Sequence, residues 1–398
     1  MQIKVTPGKL SGHIQAISSK SQAHRMLICA ALSKSSCKIY CPDPNEDINA
    51  TVSCLNAIGA NIERHNDYFY VVPISSLPYD ALLDCGESGS TLRFLLPLAG
   101  ALGIHATFLL RGRLSKRPLS PLWEEMGRMG CTLCRPTENT ISCSGKLKAG
   151  DYTIDGGVSS QFITGLLLAL SVLPGRSTLT ITGTIESKPY IDITKNVMSM
   201  FGIHCDGIHV NGAYPFNGPD TLSVEGDWSN AAFYLVANAL GSRVEIKNLN
   251  PHSYQGDREI ATLIPELENM QTIDMAQIPD LMPILAVLAA AKDGAEFQNI
   301  QRLRLKESDR VHSVQQMLHN MGVKTESTVQ TLKVYPGKFQ ACTVDSFNDH
   351  RIAMAAAIAA TIATGPIQIT NPLCVSKSYP AFWQDFRKLG GIYEQLEG

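Results

Sequence analysis

Six copies of one two-part unit follow one another along the 398 residues, and this repetition constrains the fold more than any other feature. The first part of each copy is a polar turn leading into a long apolar run. These runs open at Ser18, Cys85, Gly156, Glu225, Ile278 and Phe347. With Ser21, Ser88, Ser159, Ser229, Asp280 and Asp349 as phase markers, the intervals are 67, 71, 70, 51 and 69 residues. The second part is an amphipathic segment ending in a helix stop, followed by a short alternating stretch. Its stops fall at Gly59, Gly130, Gly202, Asn269, Gly322 and Gly390, at intervals of 71, 72, 67, 53 and 68. The fourth interval shortens in both series, as a true repeat requires and coincidence does not.

Each half of the unit has a readable local structure. Pro121–Gly130 and Ser308–Gly322 carry apolar residues at three- and four-residue spacing and end in glycine, the usual helix C-cap. The stretches from Thr132 and from Val323 alternate and read as strand–turn–strand. One unit is therefore β-α-β-α-β-β and the class is α/β, with six units dividing into two similar domains of three. The boundary falls near Ser223–Asp227, giving 18–225 as the first domain and 1–17 plus 226–398 as the second. The opening strand, Ile3–Val5, precedes the first unit and is able to pair with either half.

If the apolar runs are helices, each polar turn presents unpaired N–H groups and a positive dipole end, which suits phosphate and carboxylate. Ordinary capping is the commoner explanation of any single turn. The cations are less easily explained that way. Lys20, Arg25, Arg93, Arg117, Lys306, Arg310, Arg351 and Lys377 all stand at or beside these turns, although the net charge is only −2. Arg25, Arg93 and Arg351 open otherwise apolar runs, where an unpaired charge is costly. Lys306 and Arg310, four apart, are expected on one helix face. Glu307 beside them and Asp280 at another turn add two carboxylates able to move protons.

Other functions are disfavoured. The near-neutral charge gives no footprint for nucleic acid. The longest apolar runs, Ile163–Leu173 and Ile284–Ala291, are too short for a bilayer, and no secretory leader is read. Eleven scattered cysteines suggest free thiols in a reducing cytoplasm, and the Cys131/Cys134 pair reads as strand rather than metal site. No dinucleotide, P-loop, zinc-protease or serine-hydrolase motif is present.

Ten short motifs, in order along nearly the whole chain, resemble the 3-phosphoshikimate 1-carboxyvinyltransferase (EPSP synthase) family of enolpyruvyl transferases. They begin with SKSQAHR at Ser19–Arg25, ESGSTLR at Glu87–Arg93, KRP at Lys116–Pro118, GGVSSQF at Gly156–Phe162 and SKPYID at Ser187–Asp192. EGDWS at Glu225–Ser229, IPD at Ile278–Asp280, KESDR at Lys306–Arg310, NDHR at Asn348–Arg351 and SKSYP at Ser376–Pro380 complete the set. The resemblance implies two domains, each an inside-out α/β barrel of three repeats, hinged about an interdomain active site. It implies the small-molecule substrates 3-phosphoshikimate and phosphoenolpyruvate, no cofactor or metal, a cytoplasmic monomer and a step of aromatic amino acid biosynthesis. Carried over by position, Lys20, Ser21, Arg25, Ser159, Ser160, Gln161, Ser187, Tyr190, Asp280 and Lys306 would contact phosphoshikimate. Lys20, Gly89, Arg117, Gln161, Arg310, Arg351 and Lys377 would contact phosphoenolpyruvate. Asp280, Glu307 and Lys20 would carry the proton transfers.

The chain departs from the family pattern at Glu87, where Asn is common, at Phe94, where Pro is frequent, and at Arg302, where Asn is often seen. A carboxylate at 87 repels an anionic ligand unless it pairs, with Arg93 or Arg117 as the expected partners. Two alternatives stand beside this reading. The sister carboxyvinyltransferase acting on UDP-N-acetylglucosamine uses a loop cysteine, and the stretch Arg111–Pro121 has none. A catalytically silent anion-binding paralogue has no use for the acid–base groups present.

Overall fold

The structure is a computed structural model, and it describes residues 1–206, 209–212, 216–267 and 270–396. Asn269, read above as a helix stop, lies outside the described residues. The chain forms two compact units, Ser18–Glu225 and Met1–Ile17 with Gly226–Gly398. Each has its own apolar core.

Twelve α-helices occur among the described residues: α1 (Lys20–Ala31), α2 (Glu46–Ala57), α3 (Gly89–Leu102), α4 (Leu122–Arg128), α5 (Ser160–Val172), α6 (Lys188–Met200), α7 (Trp228–Ala239), α8 (Ile260–Glu266), α9 (Met282–Ala291), α10 (Arg310–Asn320), α11 (His350–Ala360) and α12 (Phe382–Lys388). The odd-numbered helices are the apolar runs. Because α9 and α11 are apolar all round, they are buried on every face. Within their unit α7, α9 and α11 pack on one another.

Five of the six repeats carry a four-stranded sheet in one pattern. In the second repeat, Asp80–Asp84 runs parallel to His105–Leu109, and Thr140–Gly145 lies antiparallel between the latter and Cys131–Thr137. The parallel pair is spanned by α3, the crossover such a pair requires. The third, fifth and sixth repeats use the same order. In the first repeat the leading strand is Thr221–Ser223, brought back from the end of that unit to pair with Cys37–Tyr40. Among the described residues the fourth repeat has only Ser11–Gln15 parallel to Arg243–Lys247, with no hairpin after α8. A missing hairpin is what shortens the fourth interval in both repeat series. The opening strand, Gln2–Thr6, sits between Ile367–Thr370 and Ile392–Leu396.

One packing detail sets the geometry of the anion turns. Pro97, inside α3, has no N–H for the carbonyl of Arg93. Gly165 of α5 fills that position, and any Cβ there would collide with the Arg93 carbonyl oxygen and Pro97 Cγ. The two helices therefore approach closely just beyond their first turns. All eleven cysteines are free, and Cys131 and Cys134 stand in one strand, buried and exposed respectively. Among the described residues no helix is long and apolar enough to cross a membrane.

Candidate active site

The polar turns do cap helices. Ser88 Oγ accepts from Thr91 N at 3.2 Å, Ser159 Oγ from Gln161 N at 3.3 Å, Asp227 Oδ1 from Asn230 N at 2.9 Å and Asp349 Oδ1 from Arg351 N at 3.0 Å. Three phase markers are not caps. Ser21 and Ser229 lie inside α1 and α7, and Asp280 precedes α9. Their side chains are left for other work.

In the unit formed by 18–225, Arg25 is the central group. It is 2% exposed. Nε donates to Thr194 Oγ1 at 2.7 Å, Nη1 to the Ser21 carbonyl at 2.6 Å, and Nη2 to Thr164 Oγ1 at 3.1 Å and the Tyr190 carbonyl at 2.9 Å. Its face lies 4.9 Å from the centroid of Phe94. Four of five N–H donors are thus directed to neutral groups, leaving one on Nη1. Burial pulls Arg25 down to about 9, with Tyr190 and Cys29 opposing the shift. A buried cation among hydroxyls, carbonyls and a ring gains from any anion that reaches it.

The other turns of this unit converge through α5. Arg93 Nη1 donates to Gln161 Oε1 at 2.6 Å, and Gln161 Nε2 to Ser90 Oγ at 3.0 Å. Ser160 follows the Ser159 cap. A Cβ at Gly89 would lie 2.7 Å from Arg117 Nη1, so Gly89 lets that guanidinium cross the first turn of α3. Lys20 Nζ reaches Asp47 Oδ2 on α2 at 2.9 Å. Ser187, at φ 55°, caps α6 in the left-handed region, and Tyr190 follows in its first turn. A held left-handed serine is a local strain of the kind that gathers at binding sites.

In the other unit the charges neutralise one another. Arg310 is 1% exposed and bonds three carboxylates: Nη1 to Asp280 Oδ1 at 2.6 Å, Nη2 to Glu307 Oε2 at 2.7 Å and Nε to Asp349 Oδ2 at 3.0 Å. Asp280 Oδ2 accepts from Arg351 Nη2 at 3.0 Å, and Lys306 Nζ stands 3.7 Å from Asp280 Oδ1. Arg351 Nη2 also donates to Ser229 Oγ at 3.0 Å. Lys377 Nζ donates to the Asn348 carbonyl at 3.0 Å. Burial opposes ionisation of Asp280, but Arg351, Lys306 and Arg310 outweigh it and hold the carboxyl well below its ordinary range. Burial lowers Lys306 to about 8, aided by Arg310 and Arg302 and resisted by Asp280.

One expectation needs revision. Lys306 and Arg310 do not share a helix face. Asp309 caps α10 by accepting from His312 N at 3.1 Å, so Lys306 and Glu307 belong to the preceding turn. That break lets Lys306 and Arg310 converge on the same oxygen of Asp280. The Glu87 carboxyl carbon lies 2.5 Å from where a Gly112 Cβ would be, so the loop glycine makes room for that side chain. Phe94 has a use that its sequence did not reveal, as the ring beneath Arg25. Sequence reasoning also missed Asp349 as more than a cap, and Thr164, Thr194 and Asp47 altogether. Only the Asp at a repeat turn beside an arginine signalled the first. The threonines sit in apolar helices with no local mark.

Comparisons with known proteins agree with the geometry. A family model described as EPSP synthase (3-phosphoshikimate 1-carboxyvinyltransferase) matches residues 5–268 and 261–386. The 3-phosphoshikimate 1-carboxyvinyltransferase of Clostridium kluyveri is 39% identical over 99% of this chain and 98% of its own length. That of Clostridium beijerinckii is 37% identical over the same shares. The fold resembles EPSP synthase from Acinetobacter baumannii, with TM-score 0.80, 22% identity and coverage of 99% and 100% of the two chains. It also resembles the enolpyruvyl transferase NikO from Streptomyces tendae, with TM-score 0.75, 18% identity and coverage of 100% and 99%. With the match spanning both units and every anion turn, the chain belongs to the EPSP synthase (3-phosphoshikimate 1-carboxyvinyltransferase) family.

Proposed function

We propose that the chain transfers the enolpyruvyl group of phosphoenolpyruvate to the 5-hydroxyl of 3-phosphoshikimate, forming 5-enolpyruvylshikimate 3-phosphate and inorganic phosphate. One observation carries the reading: a buried guanidinium, Arg310, fixes both candidate acid–base carboxylates, Asp280 and Glu307, among further cations. Two substrates that each bring a phosphate and a carboxylate match such a concentration of positive charge.

Lys20, Ser21, Arg25, Ser159, Ser160, Gln161, Ser187, Tyr190, Asp280 and Lys306 contact phosphoshikimate. Gly89, Arg117, Gln161, Arg310, Arg351, Lys377 and Lys20 hold phosphoenolpyruvate. Asp280 takes the hydroxyl proton as the oxygen adds to C2, while a proton held by Glu307 or Lys20 passes to C3. Glu307, with Lys20 as the second candidate, then removes a proton from C3 as the C2–O bond to phosphate breaks. Asp280 is a weak base while three cations hold it. Anions that engage Arg310, Arg351 and Lys306 draw off that stabilisation and raise its basicity, so the base strengthens once substrate is bound.

Phosphate release tests the reading. Purified protein with phosphoenolpyruvate should liberate phosphate when 3-phosphoshikimate is the acceptor and not when UDP-N-acetylglucosamine is. Release only with the nucleotide sugar, or with neither, overturns it.

A further inference from the structure

Helices α1 and α2 are joined by two rungs at matching four-residue steps. Lys20 and Asp47 form the outer rung at 2.9 Å, and His24 and Thr51 the inner one, with Nδ1 2.7 Å from Oγ1. The inner rung is fully buried and does not stop at Thr51. Thr51 Oγ1 lies 2.7 Å from Thr91 Oγ1, and Thr91 Oγ1 donates to Ser88 Oγ, the cap of α3, at 2.7 Å. Four side chains thus connect the first turns of α1 and α3 through one face of α2.

The relay has a fixed direction. Besides Ser88, Thr91 Oγ1 has only a carbonyl oxygen to address, that of Asp47 at 3.4 Å, and a carbonyl can only accept. Its single proton is therefore committed, and it must accept from Thr51. Thr51 in turn must accept from His24, so His24 carries its proton on Nδ1. Consistent with this, Nε2 of His24 is buried with no hydrogen-bond partner. Burial, with Lys20 and Arg25 on the same helix, keeps the ring neutral, its pKa well below the ordinary value.

We infer that Thr51 and His24 are positioning residues for Lys20: this one-directional relay locks α1 against α2 and so sets where the Lys20–Asp47 rung places its ammonium. The inference rests on the reading of Lys20 as a substrate-contacting residue. Removing the Thr51 hydroxyl leaves the shape of the core intact but frees α1 to shift, and the loss reaches substrate through Lys20.

Two measurements test it. The first needs no activity: nitrogen-15 spectra of the histidine rings in the intact protein. His24 should show a protonated Nδ1, a bare Nε2 and no titration between about pH 5 and 9. In Thr51→Val the proton should move to Nε2. A wild-type ring protonated on Nε2, or a cationic ring at neutral pH, overturns the relay whether or not the protein is an enolpyruvyl transferase. The second is kinetic. Thr51→Val should lower kcat/KM about tenfold and Thr51→Ser should restore it, since a hydroxyl is all that is required. Asp47→Asn should also cost activity. The double variant Asp47→Asn/Thr51→Val should lose no more than the worse single variant, because both act through Lys20. Multiplying losses, or a Thr51→Ser variant as impaired as Thr51→Val, overturns the positioning role.

Discussion

Arg25 and Arg310 are both buried, and they solve the problem of a buried cation in opposite ways. Arg25 is surrounded by two threonine hydroxyls, two carbonyls and the Phe94 ring. Arg310 is bonded to three carboxylates. Burial lowers Arg25 and would lower Arg310, but Asp349, Glu307 and Asp280 carry the latter well above its ordinary value. The first arrangement keeps an uncompensated charge waiting for an anion. The second stores charge in balance, so that an incoming anion must compete with carboxylates and alters their proton affinity as it does so.

The largest effect should come from breaking the balanced network. Asp280→Asn should lower kcat by about 10²- to 10⁴-fold, the usual worth of a general base, while phosphoenolpyruvate binds as tightly or more tightly. Titration calorimetry and turnover together check this, and a weakened affinity with unchanged kcat would reverse the comparison. Next comes the waiting cation. Arg25→Met should raise the dissociation constant for 3-phosphoshikimate by about 10- to 100-fold, as loss of a charge-assisted hydrogen bond does, with a smaller change in saturated turnover. Equal losses in both would mean Arg25 acts on the reaction and not on capture.

Lys306 gives a pH test. Its folded value, about 8, lies below the ordinary lysine value, so the free protein loses this charge as pH rises through 8. The kcat/KM for phosphoshikimate should fall on that alkaline limb, and Lys306→Arg should remove the limb. The same depression has a sign for stability. The folded state disfavours the ammonium, so the penalty is complete below about pH 8 and is relieved between there and about 10.4. The smallest effect should follow Gly89→Ala. Its Cβ meets Arg117 Nη1 at 2.7 Å, and a flexible guanidinium can yield, so KM for phosphoenolpyruvate should rise severalfold, on the order of 1 kcal/mol, with kcat nearly intact. An unchanged KM would place Arg117 away from the ligand.

Much of this was legible in the sequence because repetition multiplies weak signals. One polar turn before one apolar run says little, but six in phase fix the strand–helix order, and the shortened fourth interval is explained by one missing hairpin. The site was legible where charge stood against its surroundings, as with Arg25 at the head of an apolar helix. It was illegible where a partner looked ordinary. Thr164, Thr194 and Thr51 pass as helix residues until the fold brings α2, α5 and α6 against α1. Asp349 passes as a cap because it is one, and its second oxygen shows its other use only in three dimensions. Lys306 was misplaced because four-residue spacing implies a shared face only inside an unbroken helix, and Asp309 starts a new one.

The strand Gln2–Thr6 lies between Ile367–Thr370 and Ile392–Leu396, so a strand made early pairs with two made much later. Residues 18–225 close on themselves through Thr221–Ser223 and need nothing made later. During synthesis from the N-terminus, that unit is complete while the flanking one has only two of its ten described strands, Gln2–Thr6 and Ser11–Gln15. Gln2–Thr6 therefore waits unpaired until Ile367–Thr370 and Ile392–Leu396 have been made, long after Ser11–Gln15 has met Arg243–Lys247.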